Sequence, residues 1–192
     1  MPSIALIRHP STPSAAVRRV AVRVRRTRAN ALALVYVIEG KIERVRLPPP
    51  CPSRRADELW RHTCCEAFLA GRGQTGYYEY NFAPSTEWAV YRFTAYREGM
   101  AAVDKAEPLR IAPRVRLDRI ALSAIVDPGV SPHLAGADWR LAASAIIEET
   151  DGHRSYWALR HPPGRPDFHH PDGFALVLDR SAPVAARARR QD

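Results

Sequence analysis

The chain has 192 residues, enough for one domain with a substantial core, and 46% of them are apolar. Seventeen prolines against ten glycines point away from long helices and toward many short elements joined by rigid turns. The formal net charge of +9 raises nucleic-acid binding, but every cation except Lys41 and Lys105 is arginine, and the arginines are scattered rather than clustered. Such a skew reads as compositional bias, and no specific nucleic-acid partner is expected.

The cysteines, Cys51, Cys64 and Cys65, are odd in number. Neighbours on a strand point to opposite faces, so Cys64 and Cys65 are not expected to bridge each other. No CxxC occurs, and a reducing, cytoplasmic setting follows more easily than a disulfide framework. The apolar run from Ile4 to Ile7 stops at Arg8, too short for a secretory core or a membrane span. A soluble chain with no membrane partner is expected. Residues 1–15 read as a flexible N-terminus, 16–180 as a single domain, and 181–192 as a disordered basic tail.

In chain order, period-two alternation begins at Val20-Ala21-Val22-Arg23-Val24-Arg25, as on a half-buried strand. Ala31 to Ile38 is strongly apolar, and Glu39-Gly40-Lys41 reads as a tight turn into a partner strand from Ile42 to Leu47. Pro48, Pro49, Pro50 and Pro52 cannot continue a ladder and form a loop. His62–Leu69, Tyr77–Phe82, Trp88–Tyr96, Val115–Leu117 and Ile120–Val126 follow as short strands. Leu141–Glu149, Ser155–Leu159 and Phe174–Leu178 complete the series. The Ala-rich stretch Trp139–Glu148 could form a helix, but Thr150-Asp151-Gly152 before an aromatic run reads as a hairpin and favours strand. The spacing is that of an all-β, antiparallel sandwich.

Common catalytic signatures are absent: GxSxG, GxxxxGK[ST], GxGxxG after a strand, and HExxH. The stretch from His161 to Asp172 is unusual, with His161, His169 and His170 beside Asp167 and Asp172. Imidazole and carboxylate together can bind a divalent metal, and histidines can ligate haem. The structural alternative is a proline-stiffened loop whose histidines hydrogen-bond the backbone. Adjacent His169 and His170, bracketed by prolines, reach one ion awkwardly. Direct ligand contact by one histidine, with Asp172 nearby, is the third reading.

Four tryptophans, Trp60, Trp88, Trp139 and Trp157, accompany seven tyrosines, and most are expected in the core. Trp60 opens the strand that carries His62 and Glu66 on alternate positions, and Trp157 follows a turn. Two indole faces with nearby polar groups can hold a sugar ring, whose C–H face is apolar and whose rim needs hydrogen-bond partners. Tyr78, Tyr80 and Phe82 share one strand face, expected in the core, which leaves Glu79 and Asn81 to face solvent or a concave site. Glu66 lies inside an apolar strand and needs a partner, for which Arg92 or Arg97 is the candidate.

The strings Leu59-Trp60-Arg61-His62-Thr63-Cys64-Cys65-Glu66-Ala67-Phe68, Tyr77-Tyr78-Glu79-Tyr80-Asn81-Phe82-Ala83-Pro84-Ser85 and Glu87-Trp88-Ala89-Val90-Tyr91 resemble a known family. Ser155-Tyr156-Trp157-Ala158-Leu159 and the segment from Arg165 to Asp172 extend the likeness over about residues 30–180. The chain resembles bacterial DOMON-like proteins related to family 9 carbohydrate-binding modules. The resemblance implies a β-sandwich whose concave sheet binds sugar or, in some relatives, haem. It further implies a sugar clamped between two tryptophans, with Trp60 and Glu66 matching the first half of the clamp and Trp157 the second. Haem-binding relatives pair methionine with histidine, which would draw on Met100.

The sequence therefore predicts a non-catalytic domain that binds a small polar ligand such as a sugar. Its candidate ligand-binding residues are Trp60, His62, Glu66, Glu79, Asn81, Arg92, Trp157, His169 and Asp172. The alternative is a haem- or metal-binding redox accessory that uses the His161–His170 loop. An enzyme with Glu66, Glu79 and His62 in acid–base roles on a glycoside is the third reading.

Overall fold

The structure, a computed structural model, describes residues 3–27, 29–103, 109–128 and 134–180. The tail expected over 181–192 lies outside the described residues. The strands are β1 (Ile4–Arg8), β2 (Val17–Arg26), β3 (Leu32–Gly40), β4 (Cys64–Gly71), β5 (Tyr77–Phe82) and β6 (Trp88–Phe93). They continue with β7 (Ala101–Ala102), β8 (Arg110–Val115), β9 (Arg119–Val126), β10 (Trp139–Glu148), β11 (Arg154–Ala158) and β12 (Leu176–Leu178). Among the described residues, no helix is long and apolar enough to cross a membrane.

All the strand pairs are antiparallel, and the order is β7-β6-β5-β4-β10-β11-β1-β2-β3-β9-β8, with β12 beside the start of β10. The sheet curls into two facing layers. The inward residues of β2, β3 and β9 (Val20, Val22, Leu34, Tyr36, Leu122) meet those of β4, β5 and β10 (Leu69, Tyr80, Phe82, Trp139, Leu141) in one core. This is the antiparallel β-sandwich that the alternation predicts. Tyr36 ties the layers together, donating from its hydroxyl to the Glu66 carbonyl across the core at 2.6 Å. The stretch Trp139–Glu148 is a strand, as the hairpin signal indicated.

Two expectations are corrected. Residues 4–8, read as part of a flexible N-terminus, form the strand that joins the layers: Ile4–Leu6 pair with β2, and Ile7 and Arg8 pair with β11. A strand that changes sheet partway is a usual corner of a sandwich. Its apolar stretch is short, but Leu6, only 4% exposed, is enough to anchor it. The second correction concerns Ile42–Leu47, which does not pair with β3. Ile42–Arg44 is a single 3-10 turn, because both edges of β3 are already taken by β2 and β9. Gly40 allows the crossing there, since a Cβ at that position would lie 2.1 Å from the Ala16 carbonyl oxygen.

A second apolar cluster covers the outer face of β4, β5, β6 and β10, built from Leu59, Phe68, Tyr77, Tyr91, Phe93 and Phe174. Cys64 belongs to this face and Cys65 to the core, the opposite sides expected of strand neighbours, and all three cysteines are free. Burial on both faces means that this layer is covered from outside. The cover is the proline-rich segment after β11, which carries Phe168, His169 and Phe174.

Because β1 is the link between layers, Leu6→Ala should cost about 2–5 kcal/mol, the range for truncating a buried leucine. Urea unfolding read by tryptophan fluorescence checks this, and a loss below about 0.5 kcal/mol would show that β1 is dispensable.

Candidate functional site

The outward alternation of β4 and β5 puts Glu66 and Phe68 on the same face as Tyr77, Glu79 and Asn81. Register sets Glu66 opposite Asn81 and Phe68 opposite Glu79, so the two glutamates are diagonal neighbours on adjacent strands. On the other side of β4, Ser144 faces Glu66. Above these residues is a cavity of about 340 Å³. Glu66, Glu79 and Ile146 line its sheet side, and Trp60, Phe93, Tyr156 and Phe168 supply aromatic walls. Arg97, Met100, Pro166 and His169 complete it. Trp60 is held in a 3-10 turn just before β4, with its ring edge-on to Tyr91 at 5.7 Å.

The roof is fastened by polar contacts. Asp167 receives hydrogen bonds from the Tyr96 hydroxyl and, at 2.7 Å, from Arg97, and its own Oδ1 accepts from the His169 backbone N–H. His169 Nδ1 lies 2.8 Å from the Tyr77 hydroxyl. The His169 ring also meets Phe68 and Phe93 edge-on at 5.0 Å. His170 accepts from the Asp172 N–H and so caps the short turn Pro171–Gly173.

The carboxyls on the cavity's sheet side are buried, with Glu66 2% and Glu79 4% exposed. Glu66 accepts a hydrogen bond from the Ser144 hydroxyl at 3.2 Å, and Glu79 accepts one from the Asn81 amide at 2.7 Å. His169 Nε2 stands 3.8 Å from Glu79. Burial, then the nearby Glu79 charge, pushes Glu66 well above the usual carboxylate range. Burial raises Glu79 to about 7 against the opposing effects of Asn81 and Arg97. Burial and then the Arg97 charge hold His169 down to about 4, so its imidazole is neutral at pH 7. The cavity thus combines two acids of raised pKa with a neutral imidazole and the Arg97 guanidinium, itself paired with Asp167.

Among the residues expected from sequence, the structure brings Trp60, Glu66, Glu79 and His169 together around one cavity. Asn81 is fully buried behind them and holds Glu79. Four others lie elsewhere. Trp157 is in the core between the layers, paired across from Ala145, with its Nε1 donating to Ser155. The ring that reaches the cavity from β11 is its neighbour Tyr156. Arg92 is exposed on the opposite strand face, beside a separate pocket with Tyr78 and Leu134. His62 is exposed and sits 2.7 Å from Glu148, away from the cavity lining. Asp172 is exposed on the short turn after His170. Glu66 takes a serine, not an arginine, as its partner. Phe93, Tyr156, Phe168 and Ser144 were missed, although each sits on the outward phase of its strand or in the unusual loop.

The three histidines do not converge. His161 Nε2 contacts the Ile7 carbonyl at 2.8 Å and its ring lies edge-on to His9, while His169 faces Tyr77 and Glu79. Among the described residues, no group of three or more His, Cys, Asp or Glu side chains could hold a metal ion.

No family model and no curated protein matches the sequence. Solved structures do. A "putative carbohydrate-binding protein" from Bacteroides uniformis ATCC 8492 aligns with a TM-score of 0.63 at 16% identity, covering 90% of this chain and 83% of that one. The fold is shared. A family 9 carbohydrate-binding module from Caldicellulosiruptor kristjanssonii aligns with a TM-score of 0.46, both in complex with glucose (11% identity, 80% of this chain and 72% of that one) and in complex with cellotriose (12%, 80% and 70%).

The buried acids set a pH dependence. A carboxyl whose pKa is higher folded than unfolded stabilises most at low pH, and Glu79 loses that contribution as pH rises from 4.5 through about 7. His169 acts oppositely, losing its contribution as pH falls from 6.5 toward about 4. Glu66, raised further still, loses its contribution in the same direction as Glu79, so the two acids outweigh the histidine and stability should fall from about pH 5 to 8, most steeply near 6.5–7 where His169 no longer opposes them. Glu79→Gln should reduce that slope, leaving the part that Glu66 contributes, and add up to about 3 kcal/mol at pH 8, at about 1.4 kcal/mol per pH unit. Denaturant midpoints at both pH values test it, and an unchanged slope in the variant would contradict the burial of an ionisable Glu79.

Proposed function

We propose that this chain is a non-catalytic binding domain for a small, hydroxyl-rich ligand of the carbohydrate class, held in the cavity over Glu66 and Glu79. The observation that carries this reading is the joining of buried hydrogen-bond acceptors and aromatic walls in one 340 Å³ space. Small-molecule sites combine mostly apolar lining with a few convergent polar groups, and this volume is near the lower end of their range. The carboxyl oxygens take donors from ring hydroxyls, while Trp60, Phe168 and Tyr156 accept the apolar C–H face. The carbohydrate-binding description of the Bacteroides uniformis protein that shares this fold supports the same ligand class.

Binding is favoured over glycoside cleavage by the carbohydrate-binding description of the Bacteroides uniformis protein that shares this fold. Haem or metal binding has no comparable support, since His161, His169 and His170 point to separate partners.

Titration with a panel of mono- and disaccharides, followed by tryptophan fluorescence, tests the proposal. Trp60→Ala should weaken binding at least about tenfold, the equivalent of about 1.4 kcal/mol. Trp157→Phe, in the core, should leave affinity within about twofold, a few tenths of a kcal/mol. The reverse ranking of the two variants would move the site away from this cavity.

A further inference from the structure

The cavity holds two buried acids, and no described lysine or arginine pairs directly with either, although the Arg97 charge is felt by Glu79. Among the described residues, neither Glu66 nor Glu79 has a lysine or arginine within ion-pairing distance; the nearest basic group is His169, 3.8 Å from Glu79. Arg97 also lines the cavity, but its guanidinium is spent on Asp167 at 2.7 Å. The remaining titratable groups packed around the pair are the Cys64 thiol from β4, the Tyr77 hydroxyl from β5 and the Tyr91 hydroxyl from β6. Burial raises the pKa of all three, Tyr77 to about 12, so they are neutral at pH 7 and neither compete for a cation nor, being a thiol and phenols, supply one. Burial favours the protonated form of the pair in the empty site, and neutral sugar hydroxyls would leave it so, whereas a bound cation would offset the cost of a buried carboxylate and stabilise the ionised form.

We propose that the preferred ligand carries a protonated amine, and that the site selects an amino sugar over its neutral counterpart by seating the ammonium group between Glu66 and Glu79. The proposal rests on the reading of this cavity as a carbohydrate site. The walls agree with it, because Trp60, Tyr156 and Phe168 line the same cavity and aromatic rings attract a cation in a way that they do not attract a neutral hydroxyl. An ammonium in the pocket draws the carboxyls toward their ionised form, so binding at neutral pH releases a proton from the pair to solvent. N-acetylation of the same sugar removes the charge, and the preference with it.

Calorimetric titration of the full chain with D-glucosamine, N-acetyl-D-glucosamine and D-glucose at pH 7, in two buffers of different ionisation heat, tests the proposal. Glucosamine should bind about tenfold or more tighter than either neutral sugar, and its apparent heat should differ between buffers in the sense of proton release. Glu79→Gln should reduce the preference to about twofold or less. If glucose or N-acetylglucosamine binds as well as glucosamine, with no proton release, the amine preference is overturned while the sugar site stands. If none of the three binds, the carbohydrate reading falls and the amine preference with it.

Discussion

Two carboxyls buried side by side on the outer face of a sheet are the constraint on which the rest of this structure depends. In water, Glu66 and Glu79 would be ordinary surface acids on the solvated side of an antiparallel layer. The segment after β11 closes over that face and takes them out of solvent, and their pKa values rise in consequence. Groups perturbed by burial plus a specific charged neighbour, sitting in a cleft, concentrate at functional sites. Here the perturbation and the cavity coincide.

Once the acids are buried, the surrounding contacts follow a common logic. Asn81 and Ser144 give each carboxyl one donor, and Tyr77 fixes the ring of His169 against the roof. Arg97 and Tyr96 fasten Asp167, which in turn receives the His169 N–H and sets the loop's height above the sheet. Phe68, Phe93 and Phe174 supply the apolar contact that a proline-stiffened cover needs in order to stay down. The cost of two poorly compensated acids is tolerable because the opposite face of the same strands is anchored in a large core through Cys65, Leu69, Tyr80 and Phe82.

Much of the architecture was legible in the chain. Period-two alternation places Tyr78, Tyr80 and Phe82 inward and Glu79 and Asn81 outward, and the structure follows that pattern residue by residue. The aromatic run before Pro84 and the valines of β2 read correctly for the same reason. The failures are failures of phase and partnership. A shift of one residue separates Trp157 from Tyr156, and sequence cannot tell which of two adjacent aromatics faces the core until Ala145 is known to sit opposite. Ile42–Leu47 has the composition of a strand but no free edge to pair with, a property of topology rather than of the segment. The short apolar run at Ile4–Ile7 looks too weak to fold alone, and it is fixed by two partners distant in sequence. The cavity itself depends on a loop docking across four strands, so its lining from Phe93, Tyr156 and Phe168 could not be assembled from local pattern.

The most direct test of this account is an NMR pH titration of the side-chain carboxyl carbons in the free protein, with Glu66→Gln and Glu79→Gln used for assignment. One glutamate should titrate near neutrality, at about 7, and a second should remain protonated beyond it. Removing the Glu79 carboxyl should lower the Glu66 midpoint, because the Glu79 charge adds to burial in holding Glu66 up. If all glutamates instead titrate together near 4.5, the ordinary value, the two acids are solvated and the roofed acidic cavity does not exist as described.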